Sequence, residues 1–512
     1  MFSGITAKSA SAFGAEWVSG RRRAFFLSFI FGFVVRLIPE VLSFPYPIGY
    51  DPIYLYAWRI RGGVVWYHWS QVFSTWLLYA FLIPLYNVVQ GDPFVLLKFG
   101  AALLFGFNAC GIYYFATKAL GWTVKKGLLA SVFFSLQMAA LAFSLNFYRN
   151  MLGLGILLFA LPLVKDDFRS TRRFLVFVLL SVLMVFGHEY SSVILFTVVL
   201  GFLVRRFLKG TKINVLKVLM AVFPALVLFL VSFYLIVFPI PYGVEKNVIS
   251  VYEPTGNYHG ALFFLRNYLA VYEPVEYYPM YLDIVSQVVS LFAGLYIVAL
   301  PLVLVGLFKD NVLDSWTALL LIGSFGALVT PFFALDWWYR WMLMLVYPFS
   351  FYAVNGITKI LRSIHKTQVR WKKLSEIAVK LILILPFFPG LVLMSSMANG
   401  MYGSSVPLRD VDDTIRAIQW LDAQMDDGSA LLAHKGFFSW ARLYLDKRRI
   451  LVYFRDDIEG AIDVALQQGL NDVYFVWWNE NIGWYGLTVP NGFIAVFTSD
   501  RISVFKYLSH GA

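Results

Sequence analysis

Apolar residues along this chain come in long unbroken runs, with neither the alternation of a half-buried strand nor the narrow stripe of a surface helix. A bilayer core about 30 Å thick takes roughly 20 apolar residues per helix. Runs of that kind lie near residues 24–43, 95–118, 127–145, 150–164, 174–187, 190–204, 216–239, 284–307, 313–332, 340–358 and 376–397. They predict about eleven transmembrane helices, of which the fourth to sixth are short and extend into the interfacial residues beside them. Arg21, Arg22 and Arg23 ahead of the first run resemble a signal peptide, but the run is long and carries Arg36 and Glu40, so it reads as a retained helix.

From about residue 400 the hydropathy falls and the pattern changes. Helices are predicted at Thr414 to Gln424 and Ile458 to Gln468, and strands at Ala430 to Ala433, Ile450 to Phe454 and Asp472 to Trp478. A terminal hairpin pairs Gly492 to Thr498 with Ile502 to Tyr507. The fold class is therefore an α-helical polytopic membrane protein, residues 1–399, followed by a small α/β domain, residues 400–512.

Composition supports the membrane assignment and excludes some functions. Hydrophobic residues make up 60% against 14% charged, far from a soluble balance. The net charge of +12 comes from short Lys and Arg clusters between apolar runs, which argues against nucleic acid as a partner. With the N-terminus cytoplasmic, Lys125 and Lys126, Lys165 to Arg173, Arg205 to Lys212, Lys309, and Lys359 to Lys373 all fall inside. The long connections 44–94 and 240–283 and the α/β domain then face the extracytoplasmic side. Val72 to Val89 is apolar as well, but counting it as a span puts the later basic clusters outside, so it reads as an interfacial helix. Val251-Tyr252-Glu253-Pro254 recurs as Val271-Tyr272-Glu273-Pro274, which is either a repeated turn tetrapeptide or part of a substrate-covering loop. The single cysteine, Cys110, rules out an intrachain disulfide and a cysteine metal site.

This topology gathers four polar and aromatic clusters on the outer face: Gly49 to Arg59, Asn146 to Asn150, Gly187 to Tyr190, and Asp336 to Trp341. Asp51, before a proline, is either a turn or cap residue or a base for an acceptor hydroxyl. His188 and Glu189 either satisfy each other and cap helices or bind sugar, acceptor or metal. Arg340 either snorkels to the interface or holds a phosphate, whose oxygens its guanidinium matches bidentately; Asp336 is a candidate partner for it. Tyr50, Arg59, Tyr148, Arg149, Trp337 and Trp338 complete the candidate substrate-binding set, since aromatic faces stack on sugars.

The arrangement resembles the C-type glycosyltransferase superfamily, which includes oligosaccharyltransferase catalytic subunits and protein O-mannosyltransferases. The resemblance lies in Tyr50-Asp51-Pro52 followed by Tyr54, Tyr56 and Arg59 in a first long outer loop, a second long loop after the seventh helix, and Arg340 ahead of Tyr347-Pro348. It implies transfer of a sugar from a polyprenyl-phosphate or dolichyl-phosphate donor to a glycan, lipid or protein acceptor, with inversion. It makes Asp51 the catalytic acid or base and Arg340 the donor-phosphate residue. The oligosaccharyltransferase pattern is incomplete: Tyr148-Arg149-Asn150 offers no carboxylate, Asp51 has no second acid two residues away, and Asp336-Trp337-Trp338-Tyr339 shares only composition with the tryptophan-rich acceptor motif. A divalent metal, Mg or Mn, possible at Asp51 in that resemblance, stays open, and a monosaccharide transferase is favoured. Oligosaccharyltransferase-like glycan transfer, a lipid or glycan transporter, and a scaffold are the competing functions.

Overall fold

The computed structural model describes residues 6–43, 45–63, 72–74, 76–89, 91–165, 168, 170–210, 215–237, 247–251, 281–325, 338–364, 377–378, 381–399, 406–446, 448–454, 457–479 and 488–508. Helices lie over each of the eleven apolar runs within those residues. They are α1 (Thr6–Leu42), α4 (Pro93–Lys118), α5 (Val124–Ser135) with α6 (Met138–Asn146), α7 (Tyr148–Lys165), α8 (Thr171–Gly187), α9 (Glu189–Leu208) and α10 (Val215–Val237). After these come α11 (Tyr281–Tyr296) with α12 (Leu300–Gly306), α13 (Asn311–Phe325), α14 (Trp338–Met344) with α15 (Val346–Ile364), and α16 (Phe387–Asn399). By length and composition, five of the described helices can cross a bilayer, or seven if each bent pair counts as one span. This is a multi-pass membrane protein.

The bends are what hydropathy does not show. The third predicted run breaks between α5 and α6 at 61°, and the eighth breaks between α11 and α12 at 74°. Pro301 explains the second: it lies in the first turn of α12, where it has no N–H to donate to the preceding turn and its ring crowds that turn's carbonyl. At the first, Ser135 Oγ donates to the Ser131 carbonyl at 2.9 Å, a back-bond that commonly bends helices.

Residues 72–89 do not form a long span. The 13-residue α3 (Leu77–Val89) is about 20 Å long, short of a bilayer core. It buries Leu78, Tyr79 and Leu82 and leaves Phe81, Leu85 and Val88 exposed. Long apolar side chains on α1 and α10 likewise face outward, among them Phe26, Ile30, Leu219 and Phe223, as expected where the solvent is lipid.

Close helix crossings depend on glycine. A Cβ on Gly32 of α1 would approach Ala109 of α4 at 2.6 Å, and one on Gly356 of α15 would collide with the Leu302 carbonyl of α12.

Near the chain's end α17 (Leu408–Gln424), α18 (Lys435–Tyr444) and α19 (Ile458–Gln467) pack on a six-stranded sheet ordered β1-β3-β2-β4-β6-β5. Its strands are β1 (Val248–Ser250), β2 (Ser429–His434), β3 (Ile450–Phe454), β4 (Asp472–Trp478), β5 (Phe493–Ser499) and β6 (Ile502–Tyr507). The first four are parallel and the last two form the antiparallel hairpin. Two features depart from the sequence reading. The edge strand β1 comes from the second long connection rather than from residues 400–512, and α18 was not anticipated although Phe437, Trp440 and Ala441 fall on one buried face. The echoed Val-Tyr-Glu-Pro segments lie outside the described residues except for Val251.

Candidate active site

The site starts from a buried ion pair. Arg36 and Glu40, one turn apart near the end of α1, meet at 2.7 Å with both side chains fully buried. Their remaining capacity turns to the chain around them. Arg36 Nε donates to Ser144 Oγ at 2.7 Å, the Ile48 N–H donates to Glu40 Oε2 at 3.2 Å, and Lys98 Nζ donates to the Glu40 carbonyl at 2.7 Å. The pair thus folds the chain after α1 back against α6.

Gly49 completes that turn. Its φ of +118° is a conformation that side chains rarely adopt, and a Cβ there would strike the Leu145 carbonyl. At the adjoining break between α6 and α7, Asn146 Oδ1 accepts the N–H groups of Tyr50 at 2.8 Å and Asp51 at 3.4 Å. Asp51 then leads into a π-helix, Pro52–Ala57, followed by the short α2 (Trp58–Gly62). Such wide turns are rare and concentrate at functional sites.

Three guanidiniums act electrostatically on the half-buried Asp51. Burial pushes its carboxyl up to about 6, while Arg340, then Arg149, then Arg59 act in the opposite direction. Each arginine is held separately. Arg340 lies over the Phe147 ring at 5.1 Å, with its Nε donating to the Tyr339 hydroxyl at 3.3 Å. Arg149 acts electrostatically on the Tyr56 hydroxyl, and its buried Nε has no hydrogen-bond partner among the described residues. Arg59 donates to the Tyr79 hydroxyl of α3 at 3.2 Å.

His188 and Glu189 border the same charges. His188 Nδ1 accepts the Tyr190 N–H at 3.2 Å and so caps α9; burial, with Arg149 and Arg340, holds its pKa well below the ordinary value. A neutral imidazole whose Nδ1 lone pair already accepts the Tyr190 N–H hydrogen bond forms no ion pair with Glu189, although the two approach to 3.3 Å. Glu189 instead accepts from Ser74 Oγ at 3.3 Å and acts electrostatically on Arg149.

Among the sequence candidates, Asp51, Arg59, Arg149, His188, Glu189 and Arg340 therefore form one electrostatically coupled group. Tyr50 belongs to it through its backbone. Tyr148 is fully buried and stacks on Tyr56 at 5.2 Å, which is a packing position. Asp336 and Trp337 lie outside the described residues, as does the Trp338 side chain, although Trp338 begins α14. Sequence reasoning passed over Asn146, Tyr56 and Tyr79 as site residues. An asparagine at the junction of two apolar helices was the available signal for the first.

A divalent Mg or Mn ion requires several oxygen ligands. Among the described residues no group of three or more His, Cys, Asp or Glu is placed to hold a metal, and the charges acting on Asp51 are cationic. The described residues around Asp51 do not by themselves supply such a ligand set.

No family model and no curated protein matches the chain. Solved structures do. The arabinofuranosyltransferase AftD from Mycobacteria aligns with 96% of this chain and 40% of its own, at 13% identity and a TM-score of 0.51. ArnT from Cupriavidus metallidurans aligns in the apo state over 97% of this chain and 98% of its own, at 12% identity and a TM-score of 0.49. Bound to undecaprenyl phosphate it aligns over 98% and 99%, at 11% identity and a TM-score of 0.47. At such identities the likeness is one of fold.

Proposed function

We propose that this chain, which has the fold of the C-type glycosyltransferases, transfers a sugar from a polyprenyl-phosphate donor to a hydroxyl acceptor on the extracytoplasmic face. The observation that carries this reading is the position of one carboxylate, Asp51, among Arg340, Arg149 and Arg59 at the end of an apolar bundle. The likeness to an arabinofuranosyltransferase supports the same reaction class.

In this mechanism ionised Asp51 takes the proton of the acceptor hydroxyl as its oxygen bonds to the anomeric carbon. The bond from that carbon to the phosphate oxygen breaks with its electron pair, and polyprenyl phosphate leaves with one more negative charge. Arg340 meets that charge. A guanidinium stays protonated throughout, and in a site walled by apolar rings its attraction for the departing oxygens is stronger than in water. A phosphate is already a good leaving group, so a base and fixed positive charge are the main requirements. Displacement in line by the acceptor inverts the anomeric centre.

The asymmetry of basic residues along the sequence supports the outer face. Lys165 and Arg205, away from this site, pair with Asp310 and Asp314 at 2.8 Å each, at the end assigned to the cytoplasm. The buried Arg36–Glu40 pair is engaged with Ser144 and Ile48 and so serves the loop's conformation rather than a transport path. Purified protein with radiolabelled polyprenyl-phosphate sugar tests the proposal. Label moves to an acceptor with inverted configuration, and Asp51→Asn lowers the transfer rate by about 10²–10⁴-fold. Label that only crosses the bilayer, or a product of retained configuration, contradicts it.

A further inference from the structure

The segment bearing Asp51 is held from two directions. On the bundle side lie Asn146 and the Gly49 turn. On the other side lies α18, from the sheet-bearing part of the chain. The Arg442 guanidinium carbon is 3.6 Å from the centroid of the buried Trp58 ring, and Arg61 lies 5.2 Å over Tyr444. Trp58 directly follows the π-helix, so a cation resting on its face bears on the last turn of the element that Asp51 begins.

A second contact anchors the same helix. Trp440 of α18 is fully buried, with Tyr46 and Phe94 packed on it at 5.6 Å and 5.7 Å, and the Tyr46 hydroxyl donates to Asp412 Oδ1 of α17 at 2.8 Å. A conformation as uncommon as a π-helix persists where its surroundings over-determine it. The π-helix has such surroundings on both sides.

We propose that Arg442 is a positioning residue: through Trp58 it sets the π-helix and so the approach of Asp51 to the acceptor hydroxyl, which makes the sheet-bearing domain part of the catalytic apparatus. This rests on the reading of Asp51 as the base. The sheet also takes β1 from the second long connection, with the Leu451 N–H donating to the Asn247 carbonyl at 2.8 Å. The sheet-bearing domain therefore contacts both long connections.

The experiment compares the full-length protein with Arg442→Ala, Arg442→Lys, Trp58→Phe and Arg448→Gln, the last an exposed position on the same domain. Two readouts are taken: transfer kinetics and amide hydrogen exchange of residues 50–62. Arg442→Ala lowers kcat about tenfold, with the donor KM within twofold, and speeds exchange in 50–62 about fivefold. Arg442→Lys keeps a cation over the ring and recovers most of both, Trp58→Phe falls between, and Arg448→Gln matches the parent. Unchanged exchange in Arg442→Ala, or a lysine variant no better than alanine, overturns the proposal. If Arg442→Ala does not fold, Trp58→Phe against Arg442→Lys decides by the same criteria. Asp51→Asn separates the two readings: it lowers the transfer rate by about 10²–10⁴-fold and leaves exchange in 50–62 intact. If the parent shows no transfer, the exchange comparison alone decides on the clamp.

Discussion

Asn146 holds Tyr50: its side-chain oxygen accepts the Tyr50 N–H at 2.8 Å, joining the break between two membrane helices to the residue just before Asp51. The same oxygen takes the Asp51 N–H at 3.4 Å. Asn146→Ala leaves both donors without that acceptor, at a cost of about 1–3 kcal/mol in stability. Transfer by the folded variant falls mainly in kcat, because Asp51 loses its placement while the phosphate residue is untouched. Steady-state kinetics beside thermal unfolding measure both effects, and a change confined to donor KM argues against the placement role.

The carboxyl of Asp51 carries the pH dependence. Burial raises it to about 6, so the base form is lost as pH falls through about 6, and kcat/KM drops with it. Asp51→Asn removes the base and lowers the rate by about 10²–10⁴-fold. Its effect on stability has the opposite sign. Because the folded-state value lies above the ordinary 3.8, the folded chain binds more protons than the unfolded chain between those values. Stability therefore falls as pH rises through that window. At pH 7 the asparagine variant is expected to be more stable, by about 1–3 kcal/mol. A pH–rate profile and unfolding curves at pH 5 and 7 check the two statements.

Arg340 lies over Phe147, next in sequence to Asn146, with one hydrogen bond to the Tyr339 hydroxyl. Loss of a charge-assisted bond of about 1.5–3 kcal/mol corresponds to roughly a 10- to 150-fold loss in kcat/KM for Arg340→Ala. Arg340→Lys recovers part of it, since an ammonium supplies charge without the bidentate fork. Equal activity in all three proteins would place the phosphate elsewhere.

The Arg36–Glu40 pair makes a prediction about folding. Glu40→Ala strands a guanidinium in a fully buried position and destabilises by about 3–5 kcal/mol. The double change Arg36→Met with Glu40→Leu removes both charges and costs less than the single one, although Ser144 and the Ile48 amide lose partners. Thermal unfolding of the two variants in the same detergent orders them.

Chelation tests the donor set around Asp51. With guanidiniums rather than further carboxylates acting on it, EDTA treatment should leave the transfer rate within about twofold. Recovery by added Mg or Mn after a large loss would contradict this.

Most of the helical framework was legible in the sequence, since every apolar run carries a helix, and the strands near the chain's end fell within a residue or two of their expected places. The site was legible as a set of candidates but not as an arrangement. Asp51, Arg149 and Arg340 were visible as polar residues at the ends of apolar runs, yet nothing in their spacing showed that the arginines act on the carboxylate. Asn146 lay in a noted cluster without a role. Helix α18 was missed because ten residues of mixed polarity between two strands show their helical face only when Trp440 has something to pack on.

Hydropathy acts residue by residue, and in a bilayer each apolar stretch must satisfy its own backbone hydrogen bonds, so local sequence alone determined that these runs are helical and in which order they come. Bends, neighbours and ionisation depend on what other parts of the chain bring. The charge state of Asp51 is decided by its burial and by three arginines on separate elements, the turn before it by Asn146 and a buried ion pair, and the π-helix after it by contacts with a distant helix. These are sums over space rather than along the sequence, so only the tertiary structure decided them.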